Sequence, residues 1–276
     1  MSKHSRAAAP PVRIAIAGLG AIGTKVMEAL DAGIPGCALA AVAARDLARA
    51  RTRVAQLRQP VPVVALHALE PLADMVVECA PAHLLPELAT PFLRAGKTVV
   101  VLSASALLSH PALIDLARQN GGQVVVPTGA LLGLDAITAA IEGAIHSVTM
   151  VTRKPVRGLV GAPYLVANDI RIEDIDAPVC VFRGTPRDAA VGFPANLNVA
   201  VALSLAGIGP DRTTLEIWAD PSLTRNTHSV VVESDAARLT MTIENIPSDN
   251  PKTGRITALS VIAWLRKLRA PLRVGT

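Results

Sequence analysis

Hydrophobic positions in the first half of the chain alternate between short apolar runs and longer stretches with helical spacing. The runs predict strands over 12–17, 38–43, 61–64, 74–79, 98–102 and 123–126. The helical stretches begin at Ala21 and continue over 46–57, 84–95 and 111–120. Because strands and helices alternate, we expect a doubly wound parallel sheet of about six strands.

The pattern changes in the second half, where strands are not each followed by a helix. Strands are predicted over 147–153, 177–183, 214–219, 229–234 and 238–245, and helices over 194–205 and 253–268. This pattern indicates an α+β domain with an antiparallel or mixed sheet.

These patterns divide the chain into four parts. We expect a disordered tail over 1–11, a first domain over 12–129, a second domain for substrate and dimerisation over 130–252, and a helix over 253–276 that packs back on the first domain. A length of 276 residues suits two unequal cores, since single cores stop growing near roughly 250–300 residues.

The composition indicates a globular protein, with 51% hydrophobic and 18% charged residues. The most apolar stretch, 130–145, is broken by Asp135 and Glu142, so no membrane span is expected. The N-terminus has no apolar segment typical of a secretory signal, and we therefore expect a cytoplasmic protein.

Charge and cysteine content exclude several other classes. The net charge is +5, but the basic residues are scattered and aromatic residues are few, which disfavours nucleic-acid binding and suits anionic small molecules. Cys37, Cys79 and Cys180 are far apart in apolar surroundings, so neither a disulfide framework nor a metal site is predicted.

The sequence GLGAIG joins the first predicted strand to the first predicted helix. Gly18, Gly20 and Gly23 have the GxGxxG spacing, which lets the backbone approach a pyrophosphate while the helix N-terminus presents free N–H groups. Since a strand precedes this turn and a helix follows it, we predict a Rossmann-type dinucleotide site that includes Ala21 and Ile22.

The end of the second predicted strand bears on the choice of dinucleotide. An acidic residue there would bind the ribose of NAD, but the sequence places Ala44 at that position and Arg45 after it. We predict that Arg45 faces the 2′-phosphate of NADP. In the alternative, Arg45 is solvated and Asp46 serves NAD.

Several segments, in order, resemble the L-aspartate dehydrogenases, a family related in plan to the homoserine dehydrogenases. They are GLGAIG, VVECAP, GKTVVVLSASAL, VVVPTGALLGLDAI, ANLNVAVALSLAGIG, ADPSLTRNTHSV and IPSDNPKTG. The resemblance implies NAD or NADP as cofactor, Ala130 and Asn196 touching it, and His228 as the catalytic residue. Ala80, in VVECAP, is also predicted to contact the cofactor.

The implied reaction is the reversible formation of L-aspartate from oxaloacetate and ammonia through iminosuccinate, by a homodimer. Two turns differ from the family pattern. Ala104 and Ser105 replace a Val-Gly pair, and GALLG replaces GAIGG. The substrate preference is therefore less firmly indicated than the fold. The alternatives are a reductase like homoserine dehydrogenase and a nicotinamide-binding sensor without turnover.

The residues themselves leave the roles of several polar side chains open. His228 precedes a predicted strand and is a catalytic candidate because imidazole exchanges protons near neutral pH; without the resemblance, a structural histidine is the favoured interpretation. Its rival is His83, which follows a parallel strand. Asn196 is a helix cap or a nicotinamide contact. Lys252 and Arg225 either pair with substrate carboxylates or face solvent.

Overall fold

A computed structural model describes residues 9–194, 197–247 and 254–275. The strands are β1 (Val12–Ala17), β2 (Cys37–Ala43), β3 (Val63–Val64), β4 (Met75–Glu78), β5 (Thr98–Val101), β6 (Gln123–Val125), β7 (Ile145–Lys154), β8 (Val179–Gly184), β9 (Thr214–Ala219), β10 (Asn226–Ser234) and β11 (Arg238–Asn245).

Helices occur in both halves of the chain. They are α1 (Ala21–Ala32), α2 (Leu47–Val54), α3 (Leu85–Arg94), α4 (Ala106–Ser109), α5 (Ala112–Asn120), α6 (Leu134–Ala140), α7 (Pro163–Ala167), α8 (Pro186–Gly192), α9 (Asn198–Ala206) and α10 (Ile256–Lys267). Short 3-10 helices lie at Leu66–Ala68, Glu70–Leu72, Ala82–Leu84 and Val156–Gly158.

Contacts divide the chain into two compact units. The first comprises the described residues up to Val100 together with 113–125 and 262–273, and the second comprises 101–112, 126–261 and the residues from Val274 onward. The functional boundaries predicted at residues 129 and 252 stay predictions. Most of the predicted disordered tail, residues 1–8, lies outside the described residues.

The first unit is built on a six-stranded sheet in the order β3-β2-β1-β4-β5-β6. β1 pairs in parallel with both β2 and β4, and β5 pairs in parallel with β6. Chain order reverses between β1 and β4, and ligands of such sheets bind beyond the carboxyl ends of the strands at that point. Ile14, Ile16, Val76 and Val99 are fully buried in this sheet.

The C-terminal residues assigned to the first unit pack beside the start of β2. The Cys37 thiol lies 3.7 Å from the carbonyl oxygen of Leu265. A side chain on Gly36 would overlap the aliphatic part of Arg269. The segment 262–273 therefore belongs to the packing of this unit.

The second unit contains a five-stranded mixed sheet in the order β11-β10-β7-β9-β8. β10 runs antiparallel to β7 and β11, whereas β7 runs parallel to β9. Met150, Phe182 and Phe193 lie in its core, and Tyr164 packs edge-on against Phe182. The predicted fold class, a Rossmann-type parallel sheet with a second α+β domain, is confirmed.

Several predicted boundaries are wrong in a way that bears on function. β10 begins at Asn226, so His228 lies inside a strand rather than before it, and β7 extends to Lys154. Pairing of β10 with neighbours on both sides extends it beyond the run of valines that marked it in the sequence. Among the helices, α9 begins at Asn198 rather than at residue 194.

Candidate functional site

The glycine turn after β1 is shaped by two close backbone contacts. Gly18 has a φ of +99°, and a side chain there would overlap the carbonyl group of Cys79 at the end of β4. A side chain on Gly23, in the first turn of α1, would overlap the carbonyl oxygen of Gly18. Both glycines are thus required by the fold of the turn itself.

Gly20 differs from its two neighbours. No described heavy atom lies within 4 Å of the position that a Cβ on Gly20 would take. Gly20 is the N-cap of α1 and offers no side-chain cap, and the first turn of the helix carries no acidic residue. The free N–H groups at Ala21 and Ile22 and the positive end of the helix dipole therefore suit an anion.

An open pocket of the first unit adjoins this turn. Of the predicted cofactor residues, Gly18, Gly20, Arg45 and Ala80 line it, and so does the alternative candidate Asp46. Its other lining residues are Leu19, Ala43, Ala44, Arg49, Ala50, Arg53, Leu66, Cys79, Pro81, His83 and Leu84.

Sequence reasoning missed two arginines of this pocket, Arg49 and Arg53. Arg53 donates to the carbonyl oxygen of Leu19 at 2.9 Å and to Thr24 Oγ1 at 2.7 Å, which ties α2 to the glycine turn. Arg45, Arg49 and Arg53 are each four residues apart, which is close to one helical turn. That spacing is the signal that could have revealed the last two.

Asp46, the alternative ribose ligand, already has a structural role. Its carboxylate accepts a hydrogen bond from the backbone N–H of Arg49 at 2.9 Å and caps α2. Arg45, beside it, is exposed. The rim of the pocket therefore presents the cationic side chains of Arg45 and Arg49, whereas the carboxylate of Asp46 is hydrogen-bonded to the first turn of α2.

His228 lies in the second unit, on β10, and is only 4% exposed. It is paired across the sheet with Thr152 of β7, and Nδ1 of the ring lies 2.8 Å from Thr152 Oγ1. The hydrogen bond fixes the plane of the ring. If Nδ1–H donates to the hydroxyl, Nε2 keeps a lone pair that can accept a proton.

Burial holds the imidazole neutral. Loss of hydration, with a smaller contribution from the positive charge of Lys154, lowers the pKa of His228 from 6.5 to about 3. Burial likewise lowers the pKa of the Lys154 ammonium from 10.5 to about 8. His228 is therefore an uncharged base at neutral pH.

Lys154 was missed because the predicted strand stopped one residue short of it. Val148, Met150, Thr152 and Lys154 occupy alternate positions of β7 and are all buried. Continuing the alternation from Val148 would have placed the lysine on the core face. That face of the sheet thus changes from apolar to polar towards the end of β7.

Two asparagines lie at the same end of the second-unit sheet as Lys154. Asn226 of β10 is paired with Asn245 of β11. Asn245 is 4% exposed and donates through Nδ2 to the carbonyl oxygen of Ala130 at 2.9 Å. Its Oδ1 is buried with no hydrogen-bond partner in the part of the chain that the structure describes. Ala130 is thereby fixed against the polar end of the sheet.

Comparisons with known proteins find matches to both parts of the chain. A family model described as aspartate dehydrogenase, C-terminal, matches residues 135–268, and one described as homoserine dehydrogenase, NAD binding domain, matches residues 18–127. The chain is 58% identical over 269 residues to a protein named L-aspartate dehydrogenase from Bradyrhizobium diazoefficiens, covering 98% of this chain and 96% of that protein. This chain belongs to the L-aspartate dehydrogenase family.

Two further proteins extend the comparison for this family member. It is 59% identical over 264 residues to L-aspartate dehydrogenase 3 of Bordetella bronchiseptica, covering 95% of this chain and 97% of that protein. The crystal structure of an aspartate dehydrogenase from Thermotoga maritima has the same fold, with a TM-score of 0.75 at 24% identity, covering 96% of this chain and 99% of that one. The predicted family and its nicotinamide cofactor, NAD or NADP, are confirmed.

The serine that departs from the dehydrogenase pattern has a structural partner. Ser105 donates through its backbone N–H and its hydroxyl to Oδ1 of Asn198, at 3.1 and 2.8 Å. Its φ of −59° is open to any side chain, so glycine is not required here. The hydroxyl instead ties this turn to the start of α9.

The remaining predicted residues of the dehydrogenase fall into two groups. Asn196 and Lys252 lie outside the described residues. Arg225 is exposed and forms an ion pair with Glu244 at 3.6 Å, while His83 is exposed at the pocket of the first unit. Over residues 9–194, 197–247 and 254–275, no helix is long and apolar enough to cross a membrane.

Proposed function

We propose that this chain is an NAD(P)-dependent L-aspartate dehydrogenase, which interconverts L-aspartate with oxaloacetate and ammonia through iminosuccinate. The observation that carries the proposal is the full-length similarity to proteins named L-aspartate dehydrogenase. The glycine turn of the first unit and the neutral, buried His228 of the second supply the chemistry that this reaction needs.

The dinucleotide fits the glycine turn. Gly18 and Gly20 would let its pyrophosphate approach the backbone, and the N–H groups of Ala21 and Ile22 would donate to the phosphate oxygens. Gly23 has no side chain and therefore allows α1 to pack closely against the carbonyl oxygen of Gly18. Ala80, which lines the same pocket, would contact the cofactor, and Ala130 and Asn196 remain predicted contacts from the family resemblance.

NADP is the favoured dinucleotide. A 2′-phosphate carries close to two negative charges, and Arg45 and Arg49 are exposed at the rim of the pocket to receive it. The carboxylate of Asp46 is engaged in capping α2, which leaves it less suited to the ribose hydroxyls of NAD. NAD use through Asp46 is the alternative.

His228 would act as the acid-base group. When bound, the oxidised nicotinamide would supply the acceptor for the hydride that leaves Cα of L-aspartate. His228 takes a proton from the substrate ammonium at Nε2 before this step and releases it to solvent, and afterwards takes one from the water that adds to the imine carbon. The imidazolium then returns a proton to the departing ammonia. Throughout, the hydrogen bond between Nδ1 and Thr152 Oγ1 holds the ring.

A steady-state assay separates this function from its two alternatives. The pure protein is incubated with oxaloacetate and NADPH or NADH, with and without ammonia. The dehydrogenase oxidises the cofactor only when ammonia is present. Oxidation of NADPH with aspartate semialdehyde instead would favour a reductase like homoserine dehydrogenase, and tight NADPH binding without turnover would favour a sensor.

The oligomer expected from the family resemblance, a cytoplasmic homodimer, is also proposed. On the sheet face opposite His228, Val151, Val231 and Trp218 are only partly buried within the chain. A second copy could cover these three side chains in a two-fold dimer. Sedimentation of the wild type and of Val231→Asp tests it, since only the wild type should sediment as a dimer.

A further inference from the structure

One peptide group of the glycine turn is held by side chains from two helices. The carbonyl oxygen of Leu19 accepts hydrogen bonds from Arg53 Nη1 at 2.9 Å and from Thr24 Oγ1 at 3.1 Å. Arg53 Nη1 also donates to Thr24 Oγ1 at 2.7 Å, so the three groups contact one another. Thr24 belongs to α1 and Arg53 to α2. The carbonyl oxygen is therefore held from both sides of the turn.

This peptide group joins Leu19 to Gly20, the N-cap of α1. A trans peptide is planar and its C=O and N–H point in opposite directions, and the described residues contain no cis peptide bond. Glycine permits almost any φ, so the peptide could rotate readily on the side of Gly20. The hydrogen bonds to the carbonyl oxygen of Leu19 oppose that rotation and fix the direction of the N–H of Gly20.

The direction of this peptide matters for an anion at the start of α1. The N–H groups of Gly20, Ala21 and Ile22 attract a phosphate, whereas a carbonyl oxygen repels it. A half-turn of the Leu19–Gly20 peptide would exchange its N–H for its carbonyl oxygen beside the helix N-terminus. The contacts made by Arg53 therefore preserve the polarity that a pyrophosphate requires.

Arg53 differs from the other arginines of the pocket in its surroundings. Its side chain is half-buried, whereas Arg45 and Arg49 are exposed. Both of its acceptors, the Leu19 carbonyl and the Thr24 hydroxyl, are uncharged oxygens of the glycine turn and of α1. Arg53 is thus built into the turn, while Arg45 and Arg49 remain at the rim.

We propose that Arg53 is a positioning residue for the dinucleotide, which holds the Leu19–Gly20 peptide in the orientation that binds the pyrophosphate. This inference deepens the proposed function and rests on its placement of the cofactor at the glycine turn. NAD and NADP share the pyrophosphate, so Arg53 supports the binding of both. Arg45, in contrast, would act on the choice between them.

The test measures binding to Arg53→Met, which keeps a long aliphatic side chain and removes the guanidinium. Fluorescence titration gives the Kd for NADH and for NADPH, and competition gives the Kd for ADP, a diphosphate with neither nicotinamide nor 2′-phosphate. All three constants should rise together, by about tenfold. At saturating cofactor, kcat should stay within about twofold of wild type, and the KM for L-aspartate should not change.

Variants of Thr24 separate positioning from charge. Thr24→Val removes the hydroxyl that contacts both Leu19 and Arg53 but keeps the guanidinium, and it should weaken binding of NADH and NADPH by about three- to tenfold. Thr24→Ser keeps the hydroxyl and should restore wild-type affinity. The double variant with Arg53→Met should bind about as weakly as Arg53→Met alone, because both changes act on the same peptide.

Arg51→Met is the matched control. Arg51 is an exposed arginine of the same helix, and it is not among the residues that line the pocket. The substitution changes the net charge by the same amount as Arg53→Met. It should leave the three dissociation constants and the kinetic constants unchanged.

Four results would overturn the inference. Unchanged dissociation constants in Arg53→Met with a lower thermal midpoint would make the contacts purely structural, as would failure of both Arg53→Met and Thr24→Val to fold. A loss confined to NADPH would make Arg53 a ligand of the 2′-phosphate. A loss in Arg53→Met with none in Thr24→Val would assign the effect to charge alone.

The proposed function is tested separately from these binding constants. It fails if the wild type binds NADPH or NADH but shows no oxidation of either that depends on ammonia. The role of Arg53 would stand in that case, since its evidence is the affinity for the dinucleotide and for ADP.

Discussion

Thr152 Oγ1 and His228 Nδ1 lie 2.8 Å apart within the buried face of the second sheet, on directly paired residues of β7 and β10. Because the two side chains project from adjacent strands, the backbone pairing sets their separation. A buried imidazole can remain neutral here with one ring nitrogen paired and the other available. This arrangement leads to the first three predictions.

Thr152→Val should lower kcat by about tenfold, the value of one hydrogen bond, and leave the KM for the cofactor unchanged. Valine fills the same volume, but Nδ1 loses its partner and the ring its fixed tautomer. Thr152→Ser keeps the hydroxyl and should restore most of the rate. If valine and serine behave alike, the hydrogen bond has no part in catalysis.

His228→Ala should reduce turnover by about a hundredfold or more, because the proton transfers lose their base. Cofactor affinity should stay near normal, since the glycine turn belongs to the first unit. Titration of NADPH fluorescence measures the affinity, and steady-state kinetics measures the rate. If the variant keeps wild-type turnover, His228 is not the catalytic residue, and His83 is the next candidate to test.

His228 should also make the protein sensitive to acid. Its pKa is about 3 in the folded protein and 6.5 in the unfolded chain. Below pH 6.5 the unfolded chain therefore binds a proton at His228, whereas the folded protein does not. The free energy of unfolding should fall by up to about 1.4 kcal/mol per pH unit from 6.5 down towards 3, and should not depend on this group above 6.5.

Urea unfolding of the wild type and His228→Gln, at about pH 5 and about pH 7.5, measures this contribution. The variant should lose less stability than the wild type between the two conditions, since the carboxylates titrate equally in both proteins. Equal losses would mean that His228 is hydrated and charges freely in the fold.

Arg45→Ala should weaken NADPH binding by about tenfold or more and leave NADH binding unchanged. The reason is that the 2′-phosphate loses an ionic partner, whereas NADH carries no such group. The matched control is Arg118→Ala, an exposed arginine of α5 in the same unit that pairs with Asp115. A parallel loss of both cofactors would contradict a role in their discrimination.

The two glycines Gly20 and Gly23 should respond differently to alanine. Gly20→Ala should fold normally, because its Cβ meets no described atom, yet weaken dinucleotide binding by crowding the pyrophosphate. Gly23→Ala should lower the thermal midpoint, because its Cβ would overlap the carbonyl oxygen of Gly18. Scanning calorimetry without cofactor separates the two effects.

The sequence alone was enough to predict the six-stranded parallel sheet and the glycine turn that follows its first strand. Alternating strands and helices indicated a parallel sheet, and three glycines at fixed spacing after β1 indicated the dinucleotide turn. These signals are local, because a glycine turn is required within a few residues of the strand that it follows. Resemblance then indicated the family, the reaction and His228.

The surroundings of His228 could be decided only by the tertiary structure. Thr152 is 76 residues away in the chain and reaches the ring through strand pairing. Lys154 looks like an ordinary loop cation in the sequence, yet the sheet extends far enough to bury it. Burial and cross-strand contacts depend on which strands pair and in what register, and these non-local choices set the charge state of both groups.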